Sequence, residues 1–342
     1  MRRTQLINRW YSDEGSILLS NVLKAFAKGR KLETVLNLNK HENRWDLRGA
    51  PLCYIVDQQK LGNSKHQINL VTGSFNVKNY AFSDIDFTYA DISHSVLQEC
   101  QIDNCLFLRS RAREIAIYNC DFNMCHFESV EFSYSFMNSN VGKRAGSYLN
   151  CKFIKSKLNE CVFTFPIIDN CLFEDCNLHA TNFDGARIRN TKFVGKVNSC
   201  WFRGYSKAAT TSILWLFNRV TPHNFPNLMD NVDFIDADLY GVSFMNGINL
   251  DKCKFPKDDN LLLIKNIKSI YSMAAERIEK EWVGDSKRVG LNLIDSIFFN
   301  KDKQEQDADV IDKKILKDHD GLGFRFFDLM SDLVNKQTNL AN

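Results

Sequence analysis

A large apolar residue recurs at every fifth position from Phe82 to Met137, through Phe87, Ile92, Leu97, Ile102, Phe107, Ile117, Phe122, Phe127 and Phe132, with Ala112 as the one small entry. Two places before most of these centres stands a small residue, as at Ala90, Ser95, Cys100, Cys105, Ser110, Cys120, Cys125 and Ser135. Period five belongs to neither an α-helix nor a flat strand, which repeat at 3.6 and 2. It requires a chain that turns a corner every five residues and sends one bulky and one compact side chain inward each time. The pattern pauses at 138–150, where Gly142, Lys143, Arg144 and Gly146 form a polar loop. It resumes out of phase at Phe153 and runs through Leu158, Phe163, Ile168, Phe173, Leu178, Phe183, Ile188 and Phe193, with a further slip at Phe202.

The two ends read differently. In residues 1–44, Ile17, Leu18, Val22, Leu23 and Phe26 recur at helical spacing, with Ser12 or Asp13 as N-cap and Gly29 as stop, and Leu32, Val35 and Leu36 suggest a short second helix. Leu47 and Leu52 already centre two quintets, and residues 56–78 lose the pattern and read as a loop before the main array. The main interruption is 203–231, where Ser206–Val220 reads as a helix stopped by Pro222 and Pro226; quintets then return at Phe234, Leu239, Phe244, Leu250 and Phe255. The domain division is therefore a helical cap over 1–44, a repeat array over 45–255 and an α-helical segment over 256–342. About twenty-five quintets at four per coil, spaced roughly 4.8 Å, predict about six coils and a rod of about 30 Å. In the C-terminal segment Ile264, Ile267, Tyr271, Ala274, Ile278 and Trp282 predict a long amphipathic helix, followed by helices over 286–299, 309–317 and 322–334.

Units such as Ala90-Asp91-Ile92, Cys120-Asp121-Phe122, Cys176-Asn177-Leu178, Thr181-Asn182-Phe183 and Ala237-Asp238-Leu239 resemble the A(D/N)LXX consensus of the pentapeptide-repeat family. The resemblance implies a mainly β solenoid, a right-handed four-sided β-helix, here with helical caps at both ends. Members of that family range from interaction modules to bacterial effectors and quinolone-resistance proteins that mimic duplex DNA and bind type II topoisomerase (DNA gyrase). The C-terminal helices of the latter pair two rods, which implies a homodimer through residues 260–342.

Composition alters the picture in two ways. The 342-residue chain carries 44 Lys+Arg against 41 Asp+Glu, and residues 79–256 hold 17 basic and 19 acidic residues, −2, far from the strong acidity a DNA mimic needs. Residues 1–60 hold 11 basic and 6 acidic residues, +5, without a polybasic block, so nucleic acid is not the expected partner. Ten of the eleven cysteines fall in the compact slot, where Cys acts as a small hydrophobe. The sequence lacks a signal peptide, an apolar run of membrane-spanning length and cysteine or histidine pairs at metal spacing, so a cytoplasmic protein without cofactor or metal is expected.

Catalytic fingerprints are missing too: phosphate loops, dinucleotide glycines, zinc-protease and nucleophile-elbow motifs. The expected function is that of a non-enzymatic scaffold that offers a rigid wall and inserted loops to another protein. Its candidate contact residues are Trp215, Leu216, Phe217 and His223 in the large insertion, Lys143 and Arg144 in the small one, and Arg109, Arg111 and Arg113 on the array. One coil on, Glu131 is expected to pair with Arg111. The alternatives are a topoisomerase-directed DNA mimic, and an effector whose activity lies in the C-terminal helices.

Overall fold

The computed structural model describes residues 2–53, 75–139, 145–205, 227–298, 306–318 and 321–341. Its centre is a four-walled β-solenoid. The first wall is an eight-stranded parallel stack that includes Asn76–Lys78, Val96–Gln98, Ala116–Tyr118 and Phe136–Ser139. The second is six-stranded and includes Ala81–Ser83, Gln101–Asp103, Asp121–Asn123 and Ser147–Leu149. The third is a nine-stranded sheet, parallel but for its first pair, and includes Leu106–Leu108, His126–Glu128 and Lys152–Ile154. The fourth is held by single bridges that link Asp91, Arg111, Glu131, Lys157 and Asn177 in one line.

Most of the described corners turn through a left-handed residue two places after a centre. Asn79, Asp84, Tyr89, His94, Glu99 and Asn104 all have φ between 50 and 60°. Such a conformation costs a non-glycine residue roughly 1–2 kcal/mol, and the corner amide recovers part of this by bonding the next coil, as in Asp84 N–H to Asp103 O at 3.1 Å. Where second wall meets third, the corner column reads Asp84, Asn104, Met124, Asn150, Asn170, Asn190, Asn231. Its carboxamides form a ladder: Asn104 donates to Asp84 at 2.6 Å, Asn170 to Asn150 at 2.7 Å, and Asn231 to Asn190 at 3.1 Å. At Met124 the ladder sidesteps through Asn123, which bonds Asp103 and receives Asn150.

Inside, the bulky centres stack on themselves. Phe87, Phe107, Phe127, Phe153, Phe173, Phe193, Phe234 and Phe255 form one column with adjacent rings 4.6–5.7 Å apart. A second column joins Phe163, Phe183, Phe202 and Phe244. Seven ring steps at the roughly 4.8 Å strand spacing already span about 34 Å, and Leu47 adds a level below Phe87. The rod is thus longer than the periodicity indicates, because several levels escaped it. Val77 pairs with Leu97, Tyr148 with Phe122, and Val197 with Leu239. The stretch read as loop over 56–78 therefore ends in a wall strand, and the 138–150 loop contains another, Ser147–Leu149. The array likewise resumes at Asn227 and Met229, before Phe234.

The same corner, where first wall meets second, releases both 140–144 and 206–226. A buried asparagine sits at each. The Asn138 side chain accepts from Cys120 N–H at 2.8 Å and donates to Cys120 O at 2.6 Å. Asn227 accepts from Ile188 N–H at 3.0 Å. Each carboxamide supplies the bond that the interrupted strand no longer offers.

Both ends of the tube are covered. Helix α1 (Arg3–Asn8) leads into α2 (Asp13–Ala27), whose first turn is capped by Ser12 Oγ accepting from Gly15 N–H at 3.1 Å. Helix α2 drives Phe26 against the rings of Phe75, Tyr80 and Phe82 at 5.1–5.2 Å. Gly29, at φ 62°, ends it, and the expected second helix is a short 3-10 turn, Leu32–Thr34.

At the other end the reading is corrected more deeply. Residues Leu261–Lys265 and Ala308–Asp312 form an antiparallel ribbon, where helix was expected around Ile264 and over 309–317. Alternation explains it: Leu261, Leu263, Ala308 and Val310 pack on the solenoid core, whereas Leu262, Ile264 and Ile311 face the helices α3 (Ile267–Glu281), α4 (Gly284–Phe298) and α5 (Leu322–Ala341). The ribbon is a two-sided lid.

Candidate interaction surface

The corner between third and fourth walls carries the column Tyr89, Arg109, Ser129, Lys155, Asp175. Beside it on the fourth wall runs the bridged line through Arg111, Glu131 and Lys157. The small Ser129 between two long cationic neighbours leaves a groove of about 400 Å³. Arg3 of α1 closes one end, its guanidinium 5.6 Å from the centre of the Tyr89 ring. The Tyr89 hydroxyl accepts from Arg109 Nη1 at 3.0 Å. Five cations (Arg3, Arg109, Arg111, Lys155 and Lys157) line the groove with Glu131 as its one carboxylate, a balance of +4.

The expected Arg111–Glu131 ion pair does not form. The two are backbone neighbours, but Arg111 reaches down a coil to Asp91 at 3.7 Å, and Glu131 lies 3.8 Å from both Arg113 and Lys157. Arg113 faces the fourth wall beyond the groove. Of the other candidate contacts, Lys143, Arg144, Trp215, Leu216, Phe217 and His223 lie outside the described residues. Sequence reasoning missed Arg3, Lys155 and Lys157. The coil arithmetic held the signal: one coil of twenty residues and one lengthened to 26, as Phe107↔Phe127 and Phe127↔Phe153 show, align 109 with 155 and 111 with 157.

The densest polar cluster elsewhere is structural. Asp46 accepts two bonds from Arg9 at 2.8 Å each and two from Arg48 at 2.8 and 2.9 Å. Burial pushes its carboxyl up, but the hydrogen bonds and charges of Arg48 and Arg9 outweigh this and hold it well below the usual carboxylate range. His126 is pushed down by burial against a weaker opposing pull from Glu128, 3.7 Å away. Burial also lifts the thiols of Cys161, Cys176 and Cys200 to about 12. Nine of the eleven cysteines are buried, with Cys53 and Cys253 half-buried. Among the described residues no cluster of His, Cys, Asp and Glu could hold a metal, and no helix is long and apolar enough to cross a membrane.

The family model for pentapeptide repeats matches residues 151–195 in eight copies. No curated protein matches the chain. Among solved structures, a pentapeptide repeat protein (Rfr23) from the cyanobacterium Cyanothece 51142 is similar at 9% identity, covering 34% of this chain and 89% of its own, with a TM-score of 0.31. QnrB1, a plasmid-mediated fluoroquinolone resistance protein, aligns at 14% identity over 49% of this chain and 84% of its own, TM-score 0.25. HetL, involved in heterocyst differentiation regulation in Nostoc sp. strain PCC 7120, aligns at 12% over 53% and 90%, TM-score 0.16. Residues 151–195 thus carry pentapeptide repeats, and the left-handed corners and stacked bulky centres continue the same architecture through the described solenoid on either side.

Proposed function

We propose that the chain is a non-enzymatic scaffold that binds another protein on the outside of its solenoid. The observation that carries this reading is the uninterrupted stacking of the wall centres, which fixes the outward side chains of successive coils in straight columns and so prepays the ordering cost of an interface. Support also comes from the polar groups: the tightest cluster, around Asp46, is occupied in joining Arg9 to Arg48. The inserted residues Trp215, Leu216, Phe217 and His223 belong to the proposal as contacts, with Lys143 and Arg144, because both insertions leave one corner of the rod. The basic groove weighs against a DNA-mimic reading, which needs a face of carboxylates. The effector reading lacks a cysteine nucleophile in the C-terminal segment, since no cysteine follows Cys253.

Affinity purification tests the reading. The full chain should recover a partner whose capture is lost or weakened when residues within 206–226 are shortened or when Arg109, Arg111 and Arg113 are reversed in charge. A partner recovered equally by all three chains would place binding elsewhere, and turnover of a small substrate by the purified chain would overturn the non-enzymatic reading.

A further inference from the structure

The groove at the third–fourth corner runs against the charge of the body that bears it. Residues 79–256 sum to −2, yet this one depression gathers five cations around a single carboxylate. Arg111 and Lys157 are 59% and 61% exposed and reach their acids only at 3.7 and 3.8 Å, a geometry that gives exposed pairs little energy. Arg109 spends one donor on a neutral phenol. Like charges set this close, within a Debye length of about 8–10 Å, repel one another in the free protein. A multiply charged anion in the groove relieves that repulsion and gains charge-assisted hydrogen bonds from the guanidinium forks.

We propose that this groove docks an acidic segment of a partner protein, a run of carboxylate or phosphoryl side chains. The proposal rests on the scaffold reading and specifies its partner. Length and chemistry favour a peptide over nucleic acid. The corner column turns acidic again at Asp175, so the basic stretch ends within a few coils and gives no long track for a phosphate backbone. The one aromatic ring in the groove, Tyr89, already carries the Arg3 guanidinium over a face and Arg109 on its hydroxyl, so a base stacking on that face would have to displace Arg3.

Fluorescence anisotropy on the full chain tests this with five probes: a labelled peptide of alternating phosphoserine and glutamate, its serine–glutamine counterpart, a short DNA duplex, phosphatidylserine-containing vesicles, and a fifth that divides the two anion sources. This fifth probe, a peptide alternating serine and glutamate, separates the phosphoryl from the carboxylate source. The acidic peptide should bind and weaken as salt is raised. Arg109→Glu combined with Lys155→Glu should weaken it by about tenfold or more, as should the milder Arg109→Gln with Lys155→Gln to a lesser degree. Lys252→Glu, near the far end of the array, should leave it unchanged. Equal binding of the neutral peptide, tighter binding of duplex or vesicles, or indifference to both double variants in folded protein overturns the proposal. Should the peptide fail while a partner is still captured through the wall, this inference falls and the scaffold reading stands.

Discussion

Arg9, in the turn after α1, grips the carboxylate of Asp46 on the first coil through both terminal nitrogens, at 2.8 Å each. Arg48 grips the same carboxylate from the other side, and Trp10 Nε1 donates to Arg48 O at 2.8 Å. The N-terminal cap is thereby tied to the solenoid by one buried anion. Because its folded pKa lies below the unfolded value of about 3.9, its contribution is present above that pH and fades as pH falls toward the folded value. Asp46→Asn should lower stability at neutral pH by about 2 kcal/mol, and should flatten the loss of stability below about pH 4. Urea titrations at several pH values measure both. An unchanged acid limb would show that Asp46 is not the responsible group.

Phe127 lies between Phe107 at 4.9 Å and Phe153 at 4.6 Å, with the edges of Phe122 and Phe132 against it. Phe127→Ala should cost about 3–5 kcal/mol, because the stack above and below cannot close on the void. Glu128, its outward neighbour, should cost under about 0.5 kcal/mol on replacement by alanine. Chemical denaturation that found similar losses at both would contradict the inward and outward assignment.

Met124 is the one member of the second–third corner column that cannot extend the carboxamide ladder, and it holds φ 50° with half its surface exposed. Met124→Asn should raise stability by up to about 1 kcal/mol, through better tolerance of the left-handed region and an added ladder bond. Met124→Ile should lower it by about 1–2 kcal/mol, since a branched Cβ fits that region worst. Thermal melts of the pair should bracket the parent protein.

Asn138 stands in for a strand, accepting from Cys120 N–H where 140–144 departs. Asn138→Ala strands that buried donor and should cost about 2 kcal/mol. Hydrogen exchange offers the sharper reading: the Cys120 amide should lose protection while that of Asn104, which bonds Asn123 O, keeps it.

Thiol chemistry reports burial directly. A thiolate is the reactive species, and burial holds Cys161, Cys176 and Cys200 near 12. Iodoacetamide at about pH 8 should label at most Cys53 and Cys253 in the native protein, and those slowly, because burial lifts them to about 11 and about 12. The nine buried thiols should react only after denaturation, as mass spectrometry would count.

The solenoid was legible wherever a bulky centre kept its distance from the last. Phe82 through Met137 announce themselves because a five-residue corner leaves no other use for so regular a series. Tyr148 and Val77 were hidden since each follows extra chain, and periodicity alone cannot tell a long loop from a long loop plus a strand. Only the pairing of Tyr148 with Phe122 settles it. The terminal ribbon was misread for a related reason: Leu261-Leu262-Leu263-Ile264 is buried on both faces, and an unbroken apolar run has no period to distinguish strand from helix. Its partner strand lies more than forty residues away. The groove was half legible. Arg109 and Arg111 stood out locally, whereas Lys155, Lys157 and Arg3 join them only through coil arithmetic and the docking of the cap.

Six additional residues enter between Met137 and Tyr148, yet the rings of Phe122 and Tyr148 still meet at 4.9 Å and those of Phe127 and Phe153 at 4.6 Å. The rod does not register what is spliced into that edge, provided an asparagine closes the cut. Foreign sequence can therefore be grafted there, a tag or an entire binding module, and displayed at a fixed height along the rod while the coils on either side keep their shape.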